Sequence, residues 1–214
     1  MVTEKEHEAI QKEYFNRICY EWNKNFDSKR EEQDRLVAEM GLRGDERILD
    51  VATGIGVMVP SYLKYLSTGS VLAIDYSENM ISVAKERFPE GRYGNVRFET
   101  MNLYDLDREG EFDLAVCYSC FPHLYDHDRA VEVLAHSLKM GGRLAICSLR
   151  YNRVADDGGE EHRRMAERMP EHRFMTVPQL LTLCERYGLT LAYAANTDDR
   201  SLIVVRRTGR EELV

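Results

Sequence analysis

No run of apolar residues in the 214-residue chain approaches the roughly 18 that a membrane span needs. The opening MVTEKEHEAI lacks the apolar core of a secretory signal. These two absences predict a soluble, cytoplasmic protein with no membrane partner. An excess of basic charge is missing as well. The 29 Lys+Arg stand against 37 Asp+Glu, a formal net charge of −8, and such a balance repels phosphate backbones, so no nucleic-acid partner is expected. Cysteines number five, Cys19, Cys117, Cys120, Cys147 and Cys184. An odd count in a chain long enough to build its own core does not call for a disulfide framework. Cys117 and Cys120 form a CxxC with no second pair to complete a zinc site, so the sequence predicts no metal and reads them as small buried residues. There is no internal repeat and no low-complexity linker, and the length suits a single domain over residues 1–214.

Residues 1–44 form a helical region in which Ile10, Tyr14 and Ile18, then Leu36, Val37 and Met40, recur at helical intervals until Gly41 and Gly44. Strands and helices then alternate. Arg47 to Ala52 is a short apolar run of the kind that makes a buried parallel strand, and Pro60 suits the first turn of the helix that follows. Val71 to Ile74, Val96 to Glu99, Phe112 to Tyr118 and Arg143 to Leu149 read as further strands. Helices are expected at about Glu78 to Phe88 and Arg129 to Lys139. This alternation predicts an α/β fold with a parallel sheet and helices on both faces. Residues 150–176 are too polar and too long for a plain connection and are read as an insertion at the acceptor site. Val177 to Tyr187 is a final helix, ended by Gly188. Leu189 to Ala195 and Leu202 to Arg206 are two last strands joined by a turn, so one antiparallel strand is expected.

The informative segment is Ile48-Leu49-Asp50-Val51-Ala52-Thr53-Gly54-Ile55-Gly56, at the carboxyl end of the first strand, where open α/β sheets bind ligands. Glycines here allow a sharp turn and a close approach to a ligand. Asp75 ends the second strand 19 residues after Gly56, the position from which a carboxylate accepts ribose hydroxyls. A dinucleotide is disfavoured. Val59 stands where a third glycine is expected, and Asp50 places a negative charge where a pyrophosphate would lie. A ligand carrying an ammonium and a sulfonium suits that carboxylate better.

With ILDVATGIG, VLAIDYSENMISVAKERF, NVRFETMNLYDL, FDLAVCYSCFPHL and LKMGGRLAICSL in order, the sequence resembles the class I S-adenosylmethionine-dependent methyltransferases over about residues 45–149. The terminal helix and strand pair extend the likeness to about 206. The resemblance implies a Rossmann-like, doubly wound sheet of seven strands, mostly parallel with an antiparallel strand in a terminal hairpin, and S-adenosylmethionine as cofactor. It implies that Asp50, Ala52, Thr53, Gly54 and Gly56 contact the methionine moiety and form its loop. Asp75 would accept the ribose, Tyr76 and Met80 would border the adenosine, and Asn102 and Leu103 would meet the adenine. Tyr118 and Ser119 would face the sulfonium. Asn102 stands where the family usually has Asp, and Ala52 where many members have glycine; the alanine form resembles the quinone-type methyltransferases.

The loop after the fourth strand lacks the Asn/Asp-Pro-Pro-Tyr/Phe pattern of members that methylate nucleic-acid amino groups, so a small-molecule acceptor of O, N or S type is expected. His123 is the candidate general base, since an imidazole titrates near neutrality; the alternative is a residue that caps the following turn or packs under the cofactor. His127 reads as a surface residue beside Asp126 and Asp128. Tyr14, Phe15, Tyr20 and Trp22 either wall an acceptor pocket or form a packed helix face. Arg150, Tyr151 and Arg153 either touch the acceptor or lie in a solvated loop, and His162 and His172 fall in the insertion. A non-catalytic cofactor-binding domain, a protein or RNA methyltransferase, and a nicotinamide-dependent enzyme are the rival readings. A monomer or a homodimer fits the sequence equally.

Overall fold

The computed structural model describes residues 3–24, 27–149 and 175–208. Helix α1 (Glu4–Lys24) and helix α2 (Arg30–Met40) open the chain, and Gly41 ends α2 in the left-handed conformation at φ 66°. The core follows as β1 (Arg47–Val51), α3 (Val59–Tyr65), β2 (Ser70–Asp75), α4 (Glu78–Arg87), β3 (Val96–Thr100), β4 (Phe112–Tyr118), α5 (His127–Ser137) and β5 (Leu138–Leu149). Then come α6 (Val177–Arg186), β6 (Leu189–Asn196) and β7 (Arg200–Arg207). Short 3-10 turns at Leu103–Asp105 and Phe121–His123 follow β3 and β4.

All seven strands form one sheet in the order β3-β2-β1-β4-β5-β7-β6. The pairings are parallel from β3 through β5, whereas β7 runs antiparallel to both β5 and β6. Side chains alternate between two cores, one on each face. Ile48, Val71, Leu114 and Val116 pack with α1 to α4, while Leu49, Val51, Ala115 and Cys117 pack with α5 and α6. This is the Rossmann-like, doubly wound arrangement with its terminal hairpin.

Local chemistry explains the boundaries. Pro60 sits in the first turn of α3, where a missing N–H costs nothing. Ser77 caps α4 by accepting from Met80 N, and Asp126 caps α5 by accepting from Arg129 N, which starts that helix two residues ahead of the expected Arg129. Thr176 and Gln179 form a reciprocal capping box on α6. β5 begins at Leu138 rather than Arg143, because Leu138 already pairs with Phe112 and the register then shifts past the glycine pair at 141 and 142. The five cysteines are free and buried. Among the described residues no group of His, Cys, Asp or Glu is arranged to hold a metal, and no helix is long and apolar enough to cross a membrane.

Candidate active site

The strand order reverses between β1 and β4, which opens a crevice at their carboxyl ends, the place where open α/β sheets take ligands. The chain leaves β1 there through a turn with three residues in the left-handed region: Ala52 at φ 50°, Gly54 at 58° and Gly56 at 79°. Thr53 N donates to Ile74 O at 3.0 Å and Gly56 N to Thr53 O at 3.0 Å, fixing the turn against β2. The two glycines are needed for different reasons. A Cβ on Gly54 would meet only ordinary contacts with Trp22 and Met80, so its backbone conformation is what matters. At Gly56 the positive φ is joined by close packing under the turn, since a Cβ there would lie 2.9 Å from the ring of Phe88.

Two buried carboxylates support this turn. Asp50, 1% exposed, accepts from Thr53 Oγ1 at 2.5 Å and from Tyr62 OH at 3.0 Å. Asp75, 6% exposed, accepts from Gly54 N and Ser77 N, both at 2.9 Å. Burial pushes each up from an ordinary 3.8 to about 6, against the pull of those hydrogen bonds; for Asp50 the negative charge of Asp75 adds to the rise. Among the described residues no lysine, arginine or histidine pairs with either carboxylate.

Helix α1 lies across the same edge and binds it through polar side chains. Gln11, buried, accepts from Tyr76 OH at 2.9 Å and donates to the main-chain oxygen of His123 at 2.9 Å, with His7 Nε2 3.4 Å from its amide nitrogen. Asn16 accepts from Ser77 Oγ at 2.6 Å and takes the Asn79 amide on its backbone oxygen at 2.9 Å. Glu8 accepts from Asn102 Nδ2. Burial, with Asp75 and Glu8 nearby, raises the Tyr76 phenol far above its ordinary value.

At the end of β4, Ser119 is held at φ 53° while its N–H donates to Cys147 O at 2.7 Å. Beyond it the His123 ring lies edge-on to Phe15, centroids 6.0 Å apart, and Phe15 meets Trp22 in the same way at 6.0 Å. The aromatic residues of α1 thus divide. Phe15 and Trp22 join His123 beside the turn, Tyr14 is buried with the core, and Tyr20 is 58% exposed. His127 is not the surface residue expected: its ring stacks on Phe121 at 4.8 Å and its Nε2 lies 2.9 Å from Phe121 O. Leu103 and Met80 are buried, Leu103 opening the 3-10 turn after β3. Arg150, Tyr151, Arg153, His162 and His172 lie outside the described residues.

Residues 48–142 match the family model described as a methyltransferase domain. A ubiquinone/menaquinone biosynthesis C-methyltransferase of Hydrogenovibrio crunogenus is 31% identical over 117 residues, which is 53% of this chain and 45% of that protein. An uncharacterized protein of Synechococcus sp. is 37% identical over 127 residues, 58% of this chain and 29% of its own length. The chain therefore spans less than half the length of these curated relatives. Among solved structures, a SAM-dependent methyltransferase from Aquifex aeolicus has the same fold at a TM-score of 0.71 and 21% identity, over 88% of this chain and 98% of that one. A 1,6-didemethyltoxoflavin-N1-methyltransferase of Burkholderia thailandensis gives 0.71 at 18% identity, over 98% and 92%. Residues 48–142 are thus similar to a methyltransferase domain, and the sheet has the fold of solved S-adenosylmethionine-dependent methyltransferases.

The residues at this crevice fit S-adenosylmethionine, the cofactor that the sequence resemblance implies. A carboxylate has about four acceptor positions, so Asp75 keeps two for a ribose diol after its bonds to Gly54 and Ser77. The two buried acids, without a cationic partner among the described residues, suit a ligand bearing an ammonium and a sulfonium. Asp50, whose oxygens already take two hydroxyls, acts on such a ligand through its charge beneath the turn. Sequence reasoning missed His7, Glu8, Gln11 and Asn16 of α1, and Tyr62 under Asp50. The one usable signal was polar residues on the buried stripe of an amphipathic helix.

Proposed function

We propose that this chain binds S-adenosylmethionine over the turn at residues 52–56 and catalyses methyl transfer to an oxygen, nitrogen or sulfur atom of a small-molecule acceptor. The observation that carries this reading is the pair of buried carboxylates, Asp50 and Asp75, raised to about 6 and lacking a cationic partner among the described residues, at the ends of neighbouring strands. Bound there, S-adenosylmethionine supplies an electrophilic methyl group on a cationic sulfur.

The chain's own residues hold and align. Asp75 holds the ribose, Tyr76 and Met80 border the adenosine, and Ala52, Thr53, Gly54 and Gly56 present the backbone of the turn to the methionine end. Tyr118 and Ser119 close the β4 side. Alignment of two reactants is worth up to roughly 7–11 kcal/mol in the best cases, so positioning can supply most of the catalysis. His123 is the general base, its ring set between the β4 loop and Phe15 of α1, with the partly exposed Trp22 beyond Phe15. In this reading residues 1–44 cap a cofactor core of residues 45–149 and 177–206; most of the expected acceptor-site insertion, residues 150–174, lies outside the described residues. The quinone-type relatives favour a second reading of the acceptor atom. Their printed activity is C-methylation, and an aromatic ring carbon activated by a neighbouring phenolate also needs a base in the place of His123.

Two measurements test the proposal. Calorimetric titration with S-adenosylhomocysteine should give binding, and methyl-labelled S-adenosylmethionine incubated with fractionated small-molecule extracts should label an acceptor. Binding with no transfer to any fraction would favour a non-catalytic domain, and no binding would overturn the reading.

A further inference from the structure

The two edges of the sheet are built differently. At one edge β3 is five residues long and carries Arg97 and Glu99, whose side chains pair at 2.6 Å. Charged side chains of this kind blunt an edge against further strands. At the other edge β6 is eight residues long, and from Leu189 to Thr197 the chain has no charged residue and no proline, although 31% of all its residues are charged. Among the described residues no strand lies on the outer side of β6. Apolar side chains are exposed on both of its faces. Leu191, 50% exposed, pairs with Val205 and so shares the face of α5 and α6. Tyr193, 43% exposed, pairs with Val204 and lies on the α2 face, where its hydroxyl donates to Glu39 Oε2 at 3.0 Å. Only the register shift between Leu191 and Tyr193 interrupts the strand, and the small, exposed Ala192 and Ala194 leave room for a neighbour.

We propose that β6 is the interface of a homodimer, in which a second copy of this chain lays its own β6 antiparallel alongside, about a twofold axis, and the two sheets become one. The charges select this occupant. A chain of net charge −8 repels its copy wherever acidic surface meets acidic surface, and β6 offers a line of contact free of charge. The flanks complement one another as well. Arg186 precedes the strand, Asp198 and Asp199 follow it, and the side chains of Arg186 and Asp199 are both more than half exposed. Antiparallel pairing sets the start of one β6 beside the end of the other, so the arginine of each copy comes to the acidic turn of its mate, twice by symmetry. Backbone hydrogen bonds of the added strand supply the attraction, and Leu191 and Tyr193 lose their exposure on either face. The inference stands apart from the proposed cofactor site.

Sedimentation velocity of the full chain over about 1–200 µM, a range that reveals weak as well as stable pairing, should show a concentration-dependent dimer. Hydrogen exchange on the same wild-type chain at the two ends of that range should slow for the amides of residues 190–196 at the high concentration and stay unchanged in β3. Leu191→Lys combined with Ala194→Lys sets like charges along the contact and should weaken association by roughly tenfold or more. Met140→Lys, at an exposed apolar residue outside β6, should leave association unchanged. A dimer that survives the double substitution, or β6 amides whose exchange ignores concentration, puts the contact elsewhere and overturns the proposal. A wild-type chain that stays monomeric throughout overturns it too, and leaves the edge to a strand of a different protein. Should the double variant fail to fold, the exchange measurement on the wild-type chain decides alone.

Discussion

Asp75 accepts the backbone N–H of Gly54 at 2.9 Å across 21 residues of sequence, so the end of β2 and the turn after β1 move as one body. Replacing it tests both duties. Asp75→Ala leaves the buried N–H groups of Gly54 and Ser77 without their acceptor, each worth on the order of 1–3 kcal/mol when unsatisfied. We expect a loss of about 1–3 kcal/mol in S-adenosylhomocysteine affinity by calorimetry and a lower urea midpoint. Unchanged affinity would remove Asp75 from the ribose site.

Tyr62 tests the support of the other acid. Its buried hydroxyl donates to Asp50 at 3.0 Å, and Tyr62→Phe keeps the ring while removing the donor. Stability at pH 7 should fall by about 1–3 kcal/mol, because an ionised buried carboxylate loses one of two hydroxyl partners. The loss should shrink toward pH 5, where protonation of Asp50 removes the charge that needed the donor. A difference independent of pH would mean that Tyr62 acts through packing alone.

The pH dependence of the wild-type chain has a definite sign. Asp50 and Asp75 each stand at about 6 in the fold against 3.8 ordinarily, so the folded state holds protons that the unfolded chain releases. Their contribution to stability is fully present below about pH 4 and is lost as pH rises through 6, on the order of 3 kcal/mol for each acid. Cofactor binding carries the opposite sign. A cationic ligand favours the ionised acids, so S-adenosylmethionine affinity should fall from pH 7 to pH 5, with protons released on binding near pH 6. Calorimetry at pH 6 in two buffers of different ionisation heat checks this; identical heats would show that neither acid changes its protonation.

Much of this was legible in the sequence, for identifiable reasons. Ile48 and Leu49 feed opposite cores, and such runs between turn residues report parallel strands with little ambiguity. Asp75 was legible because its spacing from the glycines is set by one βαβ unit. Gln11, Glu8 and Asn16 were not. Helical periodicity says that a face is covered, but not that polar residues on it will meet Tyr76, Asn102 and Ser77, which lie 61 to 94 residues away. The packing of Phe88 against Gly56 was out of reach for a similar reason, since that ring arrives from the far end of α4.

Ala52 is held at φ 50°, a conformation that costs a residue with a Cβ roughly 1–2 kcal/mol. Glycine would relieve that strain while adding about 0.5–1 kcal/mol of unfolded-state entropy. Ala52→Gly should therefore leave stability unchanged or raise it by up to about 1.5 kcal/mol, whereas Ala52→Val, branched at Cβ, should lower it clearly. Urea unfolding of the pair checks the prediction. Equal effects of Gly and Val would mean that the turn relaxes away from the left-handed conformation.

His123 allows chemistry and position to be separated. Its main-chain oxygen, not its ring, accepts from Gln11 at 2.9 Å, so His123→Ala keeps the bond that docks the loop on α1 and removes only the imidazole. Cofactor affinity should then stay close to wild type. A general base is worth about a hundredfold to ten-thousandfold, so turnover should fall by at least that lower figure, and the neutral-pH limb of the rate profile should disappear. The ring also packs edge-on against Phe15 at 6.0 Å, and a packing role predicts something else: loss of affinity together with turnover, and rescue by His123→Phe. If His123→Phe restores turnover, the imidazole transfers no proton, and the base must be sought elsewhere around the acceptor.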